Sequence, residues 1–110
     1  MATISVLARR LKEARLKAGL TQERLGILAG IDEFSASARM NQYERDKHVP
    51  DYQTVARLAD VLSMPVAYFY ADDDVCAEML VCFHALSAAD QQGVLEHLKR
   101  QAGPRANLIE

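Results

Sequence analysis

The fold is decided by residues 19–44, which read GLTQERLGILAGIDEFSASARMNQYE. A threonine that can accept hydrogen bonds from free amide groups precedes a short helix predicted over Gln22–Ala29, and a glycine ends it. A further helix is predicted over Ala36–Arg45, capped by Ser35 or Ser37. This stretch therefore predicts two short helices joined by a turn.

Helical periodicity continues on both sides of this stretch. Between Ile4 and Ala18, apolar residues recur at the i, i+3, i+4 spacing of an amphipathic helix. Pro50 breaks the chain, and Asp51 can cap a fourth helix. Pro65 suits the first turn of a short fifth helix, where its missing N–H costs nothing. No run of alternating β-branched residues predicts a strand.

Two more helices are predicted near the carboxyl end. The run Asp72–Asp74 forms a hinge that favours a helix start, because negative charge is stabilised there. Ser87 opens the next helix in a variant of the capping box, and Gly103 with Pro104 ends it. The predicted architecture is all-α, with a five-helix domain over 1–72, a helical hairpin over 73–103 and a flexible tail over 104–110.

Composition is that of one ordinary globular domain. The chain has 110 residues, half of them apolar, and a net charge of −2. No apolar run approaches the roughly 20 residues that a membrane crossing needs. Residues 1–71 carry ten Lys or Arg against eight Asp or Glu, whereas residues 72–110 carry three against seven. This distribution permits nucleic-acid binding by the first part but does not establish it, since the five basic residues among residues 1–18 equally fit a solvated helix face.

The two cysteines give no sign of a disulfide. Cys76 and Cys82 would lie about 9 Å apart along one helix, which is too far for a bond between them. Reduced thiols, expected to be buried as small apolar groups, and the absence of a secretory signal fit a cytoplasmic protein.

The residues from Leu11 to Tyr70 resemble the phage repressor/Cro type of helix-turn-helix, the XRE family. The resemblance rests on LKEARLKAGLTQERLGILAGI (11–31) and ARMNQYERDKHVPDYQTVARLADVLSMPVAYF (38–69). These segments share the family's order: an arginine in the first helix, Gly-Leu-Thr-Gln opening the second, an aromatic-Glu pair ending the third, and a proline before the fourth. The resemblance implies a repressor-like DNA-binding domain and a transcriptional regulator.

Several structural roles follow from this resemblance. Arg15 and Glu44 match the pair that joins the first helix to the end of the third, where a bidentate contact fixes geometry. Gly26 stands where the family usually has alanine and permits close approach of the second and third helices. Met40 and Tyr43 are expected to face the core.

The resemblance also implies which residues meet DNA. The third helix would enter the major groove, with base-reading candidates Ser37, Ala38, Arg39, Asn41 and Gln42. Arginine suits guanine, Asn and Gln suit adenine, and an alanine methyl suits the thymine methyl. Phosphate contacts are expected from Thr21 and Gln22, where free amides attract anions, and from Lys47 and His48.

Two departures from the family pattern stand out. About four additional residues lie around Asp32–Ser35 and are expected to lengthen the turn. Phe34 is then expected to fold back onto Ile27 and Leu28. Asp46 replaces the usual glycine after the third helix, a position where aspartate tolerates a left-handed conformation less well than glycine does.

Other chemistry has little support. His48, His84 and His97 have no partner at nucleophile-base spacing, and no phosphate-binding glycine loop occurs. We therefore expect no enzyme activity, no metal and no cofactor. The alternative is an antitoxin-like or adaptor protein that uses the same fold to bind a partner protein. Residues 37–42 contain no acidic side chain, which favours DNA.

The last two predicted helices carry apolar stripes that a hairpin of this size cannot bury by itself. The stripes therefore predict a homodimer that binds an inverted repeat, with contacts from Met79, Phe83, Leu95 and Leu98. The same stripes would alternatively seal the core of the monomer.

Overall fold

A computed structural model describes the backbone of residues 3–108 and the side chains of residues 3–105. Within that range no strand forms, which confirms the all-α prediction. The α-helices are α1 (Val6–Lys17), α2 (Gln22–Leu28), α3 (Glu33–Glu44), α4 (Tyr52–Val61), α5 (Asp74–Ala85) and α6 (Ala88–Ala102). One 3₁₀ helix, Val66–Tyr70, precedes α5, and a second, Gly103–Leu108, covers most of the predicted tail. The tail's last two residues lie outside the described range.

Side chains cap α2, α4 and α6 where the sequence predicts it. The Arg24 N–H donates to the Thr21 hydroxyl (3.0 Å), and the Asp90 N–H donates to the Ser87 hydroxyl (3.2 Å). Asp51 caps α4, and the hydroxyl and N–H of Thr54, which donate to its carboxylate, lower the pKa of that group. Each cap satisfies an amide that the helix leaves unpaired.

One core holds α1 to α4 and the first 3₁₀ helix together. Its fully buried large side chains are Leu11, Leu25, Met40, Val55, Leu58 and Phe69. Burying each such side chain stabilises the fold by about 1.5–3 kcal/mol. Among the helices of residues 3–108, none is long and apolar enough to cross a membrane.

The turn after α3 contains Asp46 in a left-handed conformation, with φ of 62°. Its carboxylate accepts hydrogen bonds from the Ser5 N–H (3.0 Å) and the Ser5 hydroxyl (2.9 Å). Ser5 itself caps α1. A glycine would adopt this conformation with less strain, but it would lack the carboxylate that ties the start of α1 to the end of α3.

Arg10 joins this body to the C-terminal helices. Although charged, it is 3% exposed. Its Nε donates to the Ala71 carbonyl (2.8 Å), its Nη2 donates to Asp74 Oδ1 (3.0 Å), and its guanidinium lies 5.3 Å from the centre of the Tyr68 ring. The hydrogen bond from Arg10, followed by the charge of Arg9, lowers the pKa of Asp74. The predicted hinge is thus bound to α1.

Beyond its first turn, the C-terminal pair buries little. Within Asp74–Ala85 only Ala77 is buried, and within Ala88–Ala102 no residue is. Cys76 and Cys82 are exposed, so the expectation of buried thiols is wrong. The reason is that α5 contacts the rest of the domain mainly along the first 3₁₀ helix, which leaves most of its surface uncovered.

The crossing of α2 and α3 depends on the missing side chain of Gly26. A Cβ there would lie 2.9 Å from the Ala36 Cβ and 3.2 Å from the Ala36 carbonyl oxygen. Carbon atoms do not approach this closely, so the two helices would have to move apart.

We predict that Gly26→Ala lowers the free energy of unfolding by about 1–3 kcal/mol, because overpacking outweighs the gain in helix propensity. Gly93→Ala is the matched control, since a Cβ at Gly93 meets no atom within 4 Å. It should raise the free energy of unfolding by up to about 1 kcal/mol. Urea denaturation measures both, and equal stabilisation by the two substitutions would contradict the close crossing.

Candidate nucleic-acid interface

The third helix begins three residues earlier than the sequence predicted. The structure places α3 at Glu33–Glu44, and the Phe34 N–H donates to the Asp32 carboxylate (3.0 Å). Asp32 is therefore the cap, and the predicted start at Ala36 with a serine cap is wrong. The additional residues lengthen α3 by about one turn rather than lengthening the loop.

Phe34 does not fold back onto α2, which corrects the second expectation for this segment. It is 91% exposed, and Leu28 is itself 46% exposed. The physical reason is the helical register. With α3 starting at Glu33, Phe34 lies about 200° around the helix from Ala36, which faces α2.

The exposed residues of α3 form a continuous line opposite its buried face. Ala36, Met40, Tyr43 and Glu44 are buried. At 100° per residue, residues spaced i, i+4, i+7 and i+11 lie along one side of a helix. Counted from Phe34, this spacing gives an exposed line on the opposite side that ends at the C-cap residue Arg45, and Gln42 lies next to it. We call these five residues the α3 stripe: Phe34, Ala38, Asn41, Gln42 and Arg45.

The base-reading candidates divide between this stripe and its edges. Ala38, Asn41 and Gln42 lie on it, whereas Ser37 and Arg39 flank it on opposite sides, also exposed. Arg39 and Gln42 line a shallow depression of about 230 Å³ together with His48. Arg45 was missed, although its position four residues after Asn41 on the same helix face was available from the sequence.

A wider groove of about 580 Å³ runs between α1 and α3. Asn41 and Arg45 line it from α3, and Arg9 and Lys12 line it from α1. Arg9 lies 3.6 Å from both Glu13 and Asp74, so its charge is partly compensated. Lys12 and Arg45 therefore extend the cationic surface beside the stripe beyond the residues that the sequence singled out.

Arg15 and Glu44 form a buried ion pair beneath this groove. Arg15 Nε lies 2.6 Å from Glu44 Oε2 and Arg15 Nη2 lies 3.0 Å from Glu44 Oε1, which makes the contact bidentate. The two side chains are 10% and 2% exposed. Arg15 Nη1 also donates to the Leu20 carbonyl (2.9 Å). The pair thus joins α1, the turn before α2 and the end of α3.

The phosphate candidates occupy two places. Thr21 is exposed at the start of α2, and the Gln22 side-chain amide donates to Glu44 Oε1 (3.2 Å), which ties it to the ion pair. Lys47 and His48 are exposed in the turn after α3, where both backbone N–H groups donate to the Gln42 carbonyl.

Acidic groups border the stripe at one end. Asp32 and Glu33 are exposed at the start of α3, and the Asp32 carboxylate is occupied by its capping hydrogen bond. The five residues of the α3 stripe include none that is acidic. The stripe consequently combines amide, guanidinium and apolar groups, which are the kinds of group that recognise base edges.

Comparison with known proteins identifies related chains. A helix-turn-helix domain model matches residues 6–67. The HTH-type transcriptional regulator ImmR of Bacillus subtilis (strain 168) is 35% identical over 69 residues, which are 63% of this chain and 51% of ImmR. The chain spans about half the length of that relative.

A solved structure has a fold similar to that of this chain. The crystal structure of the transcriptional regulator BswR matches with a TM-score of 0.78 and 44% identity, and the match covers 84% of this chain and 92% of BswR. Because residues 6–67 amount to little more than half of the chain, this likeness extends into the C-terminal helices.

Proposed function

Because this chain belongs to the phage repressor/Cro-type (XRE) family of helix-turn-helix transcriptional regulators, we propose that it binds double-stranded DNA sequence-specifically. In this proposal α3 lies in the major groove with the α3 stripe toward the bases. The observation that carries it is the stripe itself: exposed amide, guanidinium and apolar groups in helical register, with no carboxylate among them. An α-helix that presents such groups matches the width of the groove.

Each group on the reading face has a suitable base partner. Asn41 and Gln42 can bind the N6 and N7 atoms of adenine in bidentate fashion. Arg45, and Arg39 at the edge, can bind O6 and N7 of guanine. Ala38 offers a methyl contact, and Ser37 can donate to or accept from several bases.

Phosphate contacts would hold α3 at the right depth. Lys47 and His48 lie after the end of α3, and Thr21 and Gln22 lie at the start of α2. A phosphate contact supplies affinity that falls with salt but carries no sequence information. Lys12, on the groove beside Asn41, is a further candidate of the same kind.

The C-terminal helices support a homodimer. Met79, Leu95 and Leu98 are about 40% exposed, and Phe83 is half-buried, so the monomer leaves a considerable part of this apolar surface uncovered. Residues 72–110 carry seven acidic groups against three basic ones, which disfavours DNA as the covering partner. A second copy buries the stripes and provides a second α3 for the next major groove, about 34 Å away, on an inverted repeat.

We propose that the dimer acts in the cytoplasm as a repressor. In this proposal the bound dimer would block transcription by occupying the DNA that the polymerase needs.

The two kinds of DNA contact predict different mutant behaviour on a duplex selected from random sequences. Gln42→Ala or Arg39→Ala should cost about 1–3 kcal/mol of binding free energy and relax preference at particular base pairs. Lys47→Ala should weaken all duplexes similarly and reduce the salt slope by about one. Titration of labelled duplex at several salt concentrations measures both effects.

The control is Gln92→Ala, an exposed glutamine on α6, which should leave affinity and preference unchanged. Unaltered preference in both Arg39→Ala and Gln42→Ala would mean that another face reads the bases. Selection of no duplex at all would reject DNA reading and favour the protein-binding alternative.

The dimer predicts that one charge on the C-terminal stripe separates the subunits. Leu98→Glu should sediment as a monomer at micromolar concentration, because it buries an unpaired carboxylate in the contact. Ala89→Glu adds the same charge on the opposite side of α6 and should remain dimeric. A wild-type chain that is monomeric and protects a single half-site would refute the dimer but not the reading helix.

A further inference from the structure

The first turn of α3 carries a large apolar side chain that contacts almost nothing. Phe34 is 91% exposed, the most exposed of the large apolar residues in the described part of the chain. Leaving an aromatic ring in water forgoes the stabilisation that burial would bring. An exposed ring of this kind at the tip of a reading helix points to a ligand-contacting role.

We propose that Phe34 reads a thymine through its C5-methyl group, a role that rests on the proposed DNA reading by α3. The placement supports this. Phe34 lies four residues before Ala38 and seven before Asn41, on the α3 stripe. Seven residues of helix span about 10.5 Å, which is about three base pairs at 3.4 Å each. The thymine therefore lies within about three base pairs of the position read by Asn41.

The surroundings of Phe34 disfavour a phosphate as its neighbour. Asp32 and Glu33 directly precede it, and both are exposed carboxylates that repel the DNA backbone. Ala38, one turn further along the stripe, is small and leaves the ring accessible. This end of α3 is thus suited to the interior of the groove rather than to its phosphate edge.

The chemistry of the ring selects thymine among the bases. In the major groove, the edges of guanine, cytosine and adenine present hydrogen-bonding groups, whereas thymine also presents a methyl group. A phenyl ring has no hydrogen-bonding group and gains from apolar contact. A protein partner is less suited to this site, because the exposed residues nearest to Phe34 in the chain, Asp32, Glu33 and Ser37, are polar and form no contiguous apolar patch with it.

Replacing each thymine of the selected duplex by deoxyuridine tests the proposal, since it removes only the methyl group. For the wild-type chain, substitution of the thymine that Phe34 contacts, a different one from any that Ala38 contacts, should weaken binding about fourfold, the value of one buried methyl group. Phe34→Ala should bind the thymine duplex about fourfold more weakly than wild type and should not distinguish thymine from uracil there. Phe34→Leu, which keeps an apolar side chain, should retain part of the discrimination.

Leu28→Ala is the matched control, because it removes an exposed apolar side chain of the same helix-turn-helix outside α3; it should keep the full preference for thymine. Unchanged circular dichroism and urea denaturation should show that Phe34→Ala folds normally, as its exposure implies. If replacement of thymine by deoxyuridine weakened binding equally for wild type and Phe34→Ala at every position, this role would be overturned while DNA reading would stay intact. Failure of any duplex to be selected would overturn both proposals.

Discussion

The buried contact between Arg15 and Glu44 determines where α3 lies relative to the rest of the domain. Its two hydrogen bonds, of 2.6 and 3.0 Å, join the last turn of α1 to the last residue of α3. Arg15 Nη1 donates to the Leu20 carbonyl, and the Gln22 side-chain amide donates to Glu44, so the start of α2 is held by the same cluster. A buried pair of this kind adds little net stability but strongly favours one geometry. The orientation of the α3 stripe depends on it.

A second polar contact performs the same role for the C-terminal helices. Arg10 is buried against Tyr68 and binds both Ala71 and Asp74, so the first turn of α5 is fixed to α1. Since α1 is also fixed to α3 by Arg15, two arginines of one helix relate the α3 stripe to the exposed apolar residues of the C-terminal helices. In the proposed dimer, this relation would set the distance between the two copies of α3.

The sequence predicted those features that depend on neighbouring residues. The caps at Thr21, Asp51 and Ser87 require only a side chain three residues from an amide, and the structure contains all three. The start of α3 was not predictable in this way, because Asp32 competes with two serines and packing against α2 decides among them. Phe34 was misplaced as a consequence, because it belongs to the first turn of α3, about 200° around the helix from Ala36, rather than to a turn that could fold back onto α2.

Arg10 was missed for a different reason. Periodicity treats a charged residue as exposed, whereas its burial depends on Tyr68 and Asp74, which are distant in sequence. Arg45, by contrast, was within reach of the sequence pattern. The Arg15–Glu44 pair came from the family resemblance rather than from spacing, because nothing local relates positions 29 residues apart.

A double-mutant cycle on Arg15→Met and Glu44→Leu, measured as the free energy of unfolding in urea, shows whether the buried ion pair couples α1 to α3. Each single substitution should lower that free energy by about 3–5 kcal/mol, because it leaves the other charge buried and unpaired. The double variant should lose less than the sum of the two by more than about 1 kcal/mol. If the loss in the double variant equalled the sum of the two single losses to within about 0.5 kcal/mol, the two charges would act independently. The position of α3 would then depend on apolar packing and not on the ion pair.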